Sequence, residues 1–322
     1  MTPARSTNAA QISELFEAAC RGERLPLAKL LSVIERGGEP AEQLSRVAFP
    51  MAGSGYTVGI TGAPGAGKST LTSALVAEMR GDGHRLGVLA IDPSSPFSGG
   101  AILGDRVRMQ AHALDDEVFI RSMATRGHLG GLALAAPSAV RLLEATGRGW
   151  VLLETVGVGQ VEVEVVGSAD TTVVVVNPGW GDAVQANKAG LMEIADVFVI
   201  NKADRDGVDD TRRDLEYMLD LSGLGHDGRW RPPIIATVAS DPQGVDNLWS
   251  AIQQHRSFIE GSGELDRRRS QRVDDELERI VGERLNERVE VIRRSEAFVA
   301  AKRRVHDREL DPWQAADVLF AD

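Results

Sequence analysis

Eight consecutive residues, Gly62-Ala63-Pro64-Gly65-Ala66-Gly67-Lys68-Ser69, place a glycine, four residues, then Gly-Lys-Ser. That order suits the cradling of phosphate. Glycines let backbone N–H groups converge on phosphate oxygens, and a helix starting at the lysine adds the positive end of its dipole. In such a loop Lys68 reaches the β- and γ-phosphates, the Ser69 hydroxyl ligates Mg²⁺, and Thr70 joins the nucleotide-binding set. The run Tyr56 to Ile60 before the loop and the helix-like stretch Ser69 to Met79 after it supply the strand–loop–helix setting. The competing account is a glycine-rich turn with an incidental lysine.

A second cluster, Asn201-Lys202-Ala203-Asp204, follows the apolar run Val197 to Ile200. It therefore stands at the carboxyl end of a buried strand, the edge where open α/β sheets bind ligands. The Asp204 carboxylate can accept from N1–H and the 2-amino group of guanine. Adenine lacks that amino group and would face the carboxylate with a lone pair. Asn201 would read the N7/O6 side and the Lys202 methylenes would lie along the base; Thr237 to Ser240 resembles the Ser-Ala loop of GTPases, with Val238 for the usual serine, and that resemblance implies an Ala239 N–H contact to guanine O6. Taken alone, Asn-Lys-x-Asp looks like any strand end followed by a polar turn; downstream of a phosphate loop it points to GTP.

Three acids are candidates for the cation. Glu154, in Glu154-Thr155-Val156-Gly157, ends a strand-like run, and the Gly157 N–H would contact the γ-phosphate. Lys68, Glu154 and Gly157 are the expected catalytic set. Asp92 ends another run and Asp105 follows on the same connection, so Ser69, Asp92, Asp105 and Glu154 could converge on one Mg²⁺. Each acid could equally be a helix cap or turn residue. Val158, not glutamine, follows Gly157, so slow intrinsic hydrolysis is expected.

These residues need elements to hold them. Short apolar runs near 56–61, 87–91, 118–121, 150–154, 172–176, 196–200 and 234–237 alternate with helical patterns over 68–80, 105–113, 131–145, 183–194, 209–221 and 244–260. Alternation of this kind predicts an α/β fold, a mostly parallel sheet flanked by helices, across 51–262. In an N-terminal helical segment, 1–50, a helical pattern over 9–37 breaks into two helices at Arg21-Gly22 and is closed by Gly37-Gly38 and Pro40. Across 263–322, from Glu264 to Arg308, an Arg- and Glu-rich, proline-free stretch reads as one long helical arm with a narrow apolar stripe. The arm either dimerises or folds back on its own domain.

The 322 residues carry a net charge of −11, which disfavours nucleic acid and anionic membranes as partners. One cysteine, Cys20, permits no internal disulfide, and no apolar run is long enough to span a bilayer. A cytoplasmic setting is expected.

Taken together, Ile91-Asp92-Pro93-Ser94-Ser95-Pro96, Gly99 to Arg106, Glu154 to Gln160 and Ile194-Ala195-Asp196 ahead of Asn201 resemble the MeaB/ArgK-type G proteins. These are the methylmalonyl-CoA mutase-associated GTPases. The resemblance implies a GTP/GDP- and Mg²⁺-binding homodimer that gates adenosylcobalamin delivery to methylmalonyl-CoA mutase and protects it. It further implies a client-coupling segment from Asn177 to Lys188, with Gln185 and Lys188 on one helix face; the plainer account of that pair is a solvated surface. A nucleotide-dependent kinase and a metal- or cofactor-delivery GTPase for another client are the alternatives. Six scattered histidines and one cysteine speak against metal delivery.

Overall fold

Each apolar run singled out above becomes a strand of one sheet. In the computed structural model, which describes residues 9–92, 110–112, 114–124, 131–155, 168–179, 193–222, 225 and 228–320, the strands are β1 (Tyr56–Gly62), β2 (Leu86–Asp92), β3 (Val118–Ala124), β4 (Trp150–Thr155), β5 (Thr171–Val176), β6 (Val197–Asn201) and β7 (Ile234–Thr237). They lie in the order β3-β2-β4-β1-β5-β6-β7, with every pairing parallel. All residues of β1, β4, β5 and β6 are buried, as strands covered on both faces must be.

Helices α1 (Ala9–Cys20), α2 (Arg24–Arg36), α3 (Glu39–Ala48), α4 (Lys68–Gly81), α5 (Gly131–Ala145), α6 (Val208–Ser222) and α7 (Val245–Gly261) cover the sheet. Alternation along each strand decides which helix it meets. Val173 and Val175 share a core with Leu71 and Leu75 of α4 and Leu248 and Ile252 of α7. Val174 and Val176 pack instead with Leu215 and Leu219 of α6. On β4, Leu152 joins the first core, while Val151 and Leu153 join Leu27, Leu30 and Leu31 of α2 and Leu143 of α5. The N-terminal helices are thus part of the sheet's cover. Of the helix expected over 105–113, the described residues are Gln110–His112, which form a 3-10 turn, and the helix expected over 183–194 lies almost wholly outside the described residues.

The helical stretch expected over 9–37 does close here, with Gly37 capping the end of α2, but the chain starts a further helix at once: Gly38 caps α3, which was not expected. Gly37 and Gly38 turn the chain at φ 67° and 74°. Pro40 then sits in the first helical turn, where its missing N–H is no loss.

A buried polar chain ties the amino ends of three strands to α7. The Tyr56 hydroxyl lies 2.6 Å from Thr171 Oγ1, which lies 2.8 Å from His255 Nδ1. His255 Nε2 is 3.1 Å from Asp196 Oδ1, and Asp196 Oδ2 accepts the Thr172 N–H at 2.8 Å. Burial pushes the Tyr56 hydroxyl well above its ordinary range.

By its contacts the chain divides into two compact units, Met1–Leu265 and Asp266–Asp322. The second unit corrects the expected single helical arm. Helix α8 (Glu264–Arg293) ends before α9 (Glu296–His306) and α10 (Pro312–Leu319). The break is at Ser295, whose hydroxyl donates to Ile292 O at 2.7 Å and accepts the Phe298 N–H at 3.2 Å. A serine bonding backbone on both sides caps a new helix rather than continuing the old one. Arg308, at φ 59°, follows the end of α9. Among the described residues no helix is long and apolar enough to cross a membrane.

Candidate nucleotide site

The phosphate loop leaves the sheet between β1 and β5 because Gly62 carries no side chain. At φ 139° a Cβ there would collide with the Val175 carbonyl. Gly65 and Gly67 also hold positive φ, and Gly67 caps α4, so the helix begins at Lys68. Pro64 and Gly65 are exposed, Ala66 is buried, and Ala63, Gly67 and Thr70 are half-buried. The Lys68 ammonium donates to Gly62 O at 2.7 Å and Ala63 O at 3.2 Å. The loop is thereby closed on itself, with the lysine head held over it.

Glu154 on β4 sits beside Ile60 of β1 in the parallel register. The Ser69 hydroxyl donates to Glu154 Oε1 at 2.5 Å, and both side chains are buried. One strand turn further, the Thr155 hydroxyl donates to Thr61 Oγ1 at 3.1 Å, a second tie between β4 and β1. Asp92 ends β2, next to β4, where Ile91 pairs with Thr155. The Asp92 side chain, and all of Asp105, Gly157, Gln185 and Lys188, lie outside the described residues. Of the four expected metal ligands, then, Ser69 and Glu154 are seen in contact.

Asn201 is buried at the end of β6, and its amide is engaged at both ends. Nδ2 donates to Ala66 O of the phosphate loop at 2.8 Å. Oδ1 accepts from the Thr237 hydroxyl and from the Ala239 N–H, each at 3.1 Å. Asn201 and Ala239, both expected to meet the base, are bonded to each other. Gly67 makes the approach feasible, since a Cβ there would collide with Asn201 Nδ2. Lys202, at φ 61°, turns its ammonium onto Gly65 O at 2.6 Å. Asp204 is exposed in the turn that follows. Thr237 is the residue the sequence reading passed over. Its one signal was a hydroxyl at a buried strand end, ahead of the loop carrying Ala239.

Phosphate loop and base loop joined this way, at the carboxyl edge of a parallel sheet, make the chain a P-loop GTPase. Comparison with known proteins narrows the class. Residues 27–293 match the family described as methylmalonyl Co-A mutase-associated GTPase MeaB, and the chain belongs to that family. A relative from Pyrococcus abyssi is 49% identical over 312 residues, covering 97% of this chain and 96% of its own. The GTPase ArgK of Escherichia coli is 36% identical over 271 residues, 82% of each chain. The mitochondrial methylmalonic aciduria type A homolog of Mus musculus is 33% identical over 328 residues, 96% of this chain and 79% of its own. A crystal structure described as a LAO/AO transport system kinase superposes with a TM-score of 0.72 at 27% identity, covering 97% of both chains.

Proposed function

We propose that the chain binds GTP with Mg²⁺, hydrolyses it slowly, and as a cytoplasmic homodimer couples that cycle to adenosylcobalamin loading and protection of methylmalonyl-CoA mutase. The observation that carries the nucleotide reading is Asn201. It bonds the loop that would cradle phosphates to the loop that would read the base, so both ends of one ligand meet a single preorganised unit.

Within that unit Lys68 and the N–H groups at the start of α4 would offset charge on the transferring phosphoryl group. The exposed Asp204 would accept from the guanine edge. Ser69 and Glu154 fit a hard cation, being two oxygen donors already in contact beside the phosphate loop. They would hold Mg²⁺, which when bound neutralises phosphate charge. Val158 in place of a water-positioning glutamine supports slow turnover without a partner. The family's association with the mutase and the name of the mouse relative support the client.

Asp204→Asn tests the base assignment. GTP affinity should fall by roughly 10²-fold or more, and xanthine nucleotides should bind better than guanine ones, because the amide offers xanthine the donor that it requires. Unchanged GTP affinity in this variant would sink the assignment.

A further inference from the structure

At its carboxyl edge the sheet opens between β4 and β1. Their ladder begins at Tyr56–Trp150 and ends at Ile60–Glu154. Beyond that pair the two strands follow different neighbours. Thr61 and Gly62 continue beside Val174 and Val175 of β5, while Thr155 continues beside Ile91 of β2. Gly62 permits the parting, because a Cβ there would collide with the Val175 carbonyl. A parting at this edge is where open α/β sheets take ligands.

The parting also divides the expected metal ligands. Ser69 follows β1, whereas Asp92 ends β2 and Glu154 lies on β4. Whether Ser69 and Glu154 meet therefore depends on how far the two halves of the sheet stand apart at this level. The backbone ladder has ended, and a side-chain bond takes over at the next pair along. The Thr155 hydroxyl donates to Thr61 Oγ1 at 3.1 Å, with Thr155 0% and Thr61 1% exposed.

Alternation along β4 decides what this bond can do. Glu154 faces Ser69 at the start of α4. Its neighbours Leu153 and Thr155 point to the other face, where Leu153 shares a core with Leu143 of α5. Thr155 is thus on the far face of the sheet from the Ser69–Glu154 contact and is not itself a ligand. Two buried hydroxyls that satisfy each other hold one arrangement, and loss of either leaves the other unmet.

We infer that Thr155 is a positioning residue for the metal: its bond to Thr61 holds β4 against β1 where their ladder has ended, and so sets Glu154 against Ser69. The inference rests on the Mg²⁺ and nucleotide reading above and not on the identity of the client.

Binding of fluorescent mant-GDP to the full-length protein, from EDTA buffer through rising magnesium chloride, tests it without any turnover. In the wild type, Mg²⁺ should tighten GDP binding with a definite midpoint concentration. Thr155→Val, which keeps shape and removes the donor, should raise that midpoint about fivefold, the worth of one ordinary hydrogen bond. GDP affinity in EDTA should stay within about twofold, since no nucleotide contact is lost. Thr61→Val should act alike from the other strand, and it serves alone should the first variant fold poorly. Thr155→Ser, which restores the hydroxyl, should return the midpoint to within about twofold of wild type. A merely structural loss would weaken GDP binding equally with and without the metal. That result, or an unchanged midpoint in a folded valine variant, would overturn the inference. Wild-type affinity that does not respond to Mg²⁺ would overturn the metal reading and this inference together. Wild-type protein that binds no GDP would overturn the nucleotide reading as well.

Discussion

Asn201 bonds protein through both ends of its amide, and each partner does something different. The Ala66 carbonyl fixes the phosphate loop, while Thr237 and Ala239 fix the base loop. Thr237 matters here because a buried amide oxygen with two donors holds a single orientation, and the loss of one loosens it. Thr237→Val should therefore lower GTP affinity by about tenfold, corresponding to roughly 1.4 kcal/mol. Thr237→Ser should stay within about twofold of wild type, since the hydroxyl is retained. Titration calorimetry checks both; equal losses in the two variants would assign the effect to side-chain bulk instead. These roles were hidden in the sequence for a simple reason. Gly62–Ser69 and Asn201–Asp204 are contiguous runs that show their chemistry by type and spacing. The bonds of Asn201 join residues 36 and 135 positions apart, and nothing local marks them.

Elements are held by polar ties as well as by the apolar cores. At the end of α4, Arg80 Nε donates to Asp115 Oδ2 at 2.7 Å, and the Glu117 N–H donates to Asp115 Oδ1 at 2.9 Å. These bonds anchor the entry to β3. The Arg80 guanidinium, then the Glu117 N–H, hold the Asp115 carboxyl below its ordinary value. A carboxylate whose folded-state pKa is depressed stabilises above the unfolded value and loses that contribution as pH falls through the folded one. Asp115→Asn should cost about 0.5–1 kcal/mol near pH 7, modest because the pair is partly exposed to solvent. The gap to wild type should close below about pH 3.9, as the wild-type carboxyl protonates. Denaturant melts at pH 7 and at pH 3 check this; a constant gap would refute it. The strands themselves were legible because burial on both faces leaves continuous runs such as Val197 to Ile200. Helix α3 was not, because two glycines and a proline spell a break locally, whereas a proline in the first turn starts a helix. Nor was the break at Ser295, where the apolar stripe continues and a single hydroxyl decides the matter.

At the scale of the whole molecule, α8 presents apolar side chains to solvent along one stripe. Leu277 is 60% exposed and Leu285 56%, with Val273 and Val281 on the same four-residue spacing. A stripe this narrow on a 30-residue helix is the pattern of a helix that pairs with another, and the proposed homodimer would bury it. Leu277→Glu combined with Leu285→Glu should convert dimer to monomer in light scattering without altering GDP affinity; a dimer that persists would show that other surfaces hold it. The coupling of nucleotide turnover to a client is the central claim. Its most direct test is GTP hydrolysis by the purified protein, alone and with an adenosylcobalamin-dependent methylmalonyl-CoA mutase. Slow turnover that rises at least about tenfold when the mutase is added is the predicted result, in line with a partner completing a site in which Val158 stands where a water-positioning glutamine would follow Gly157. GTP binding and hydrolysis that the mutase leaves unchanged would contradict it.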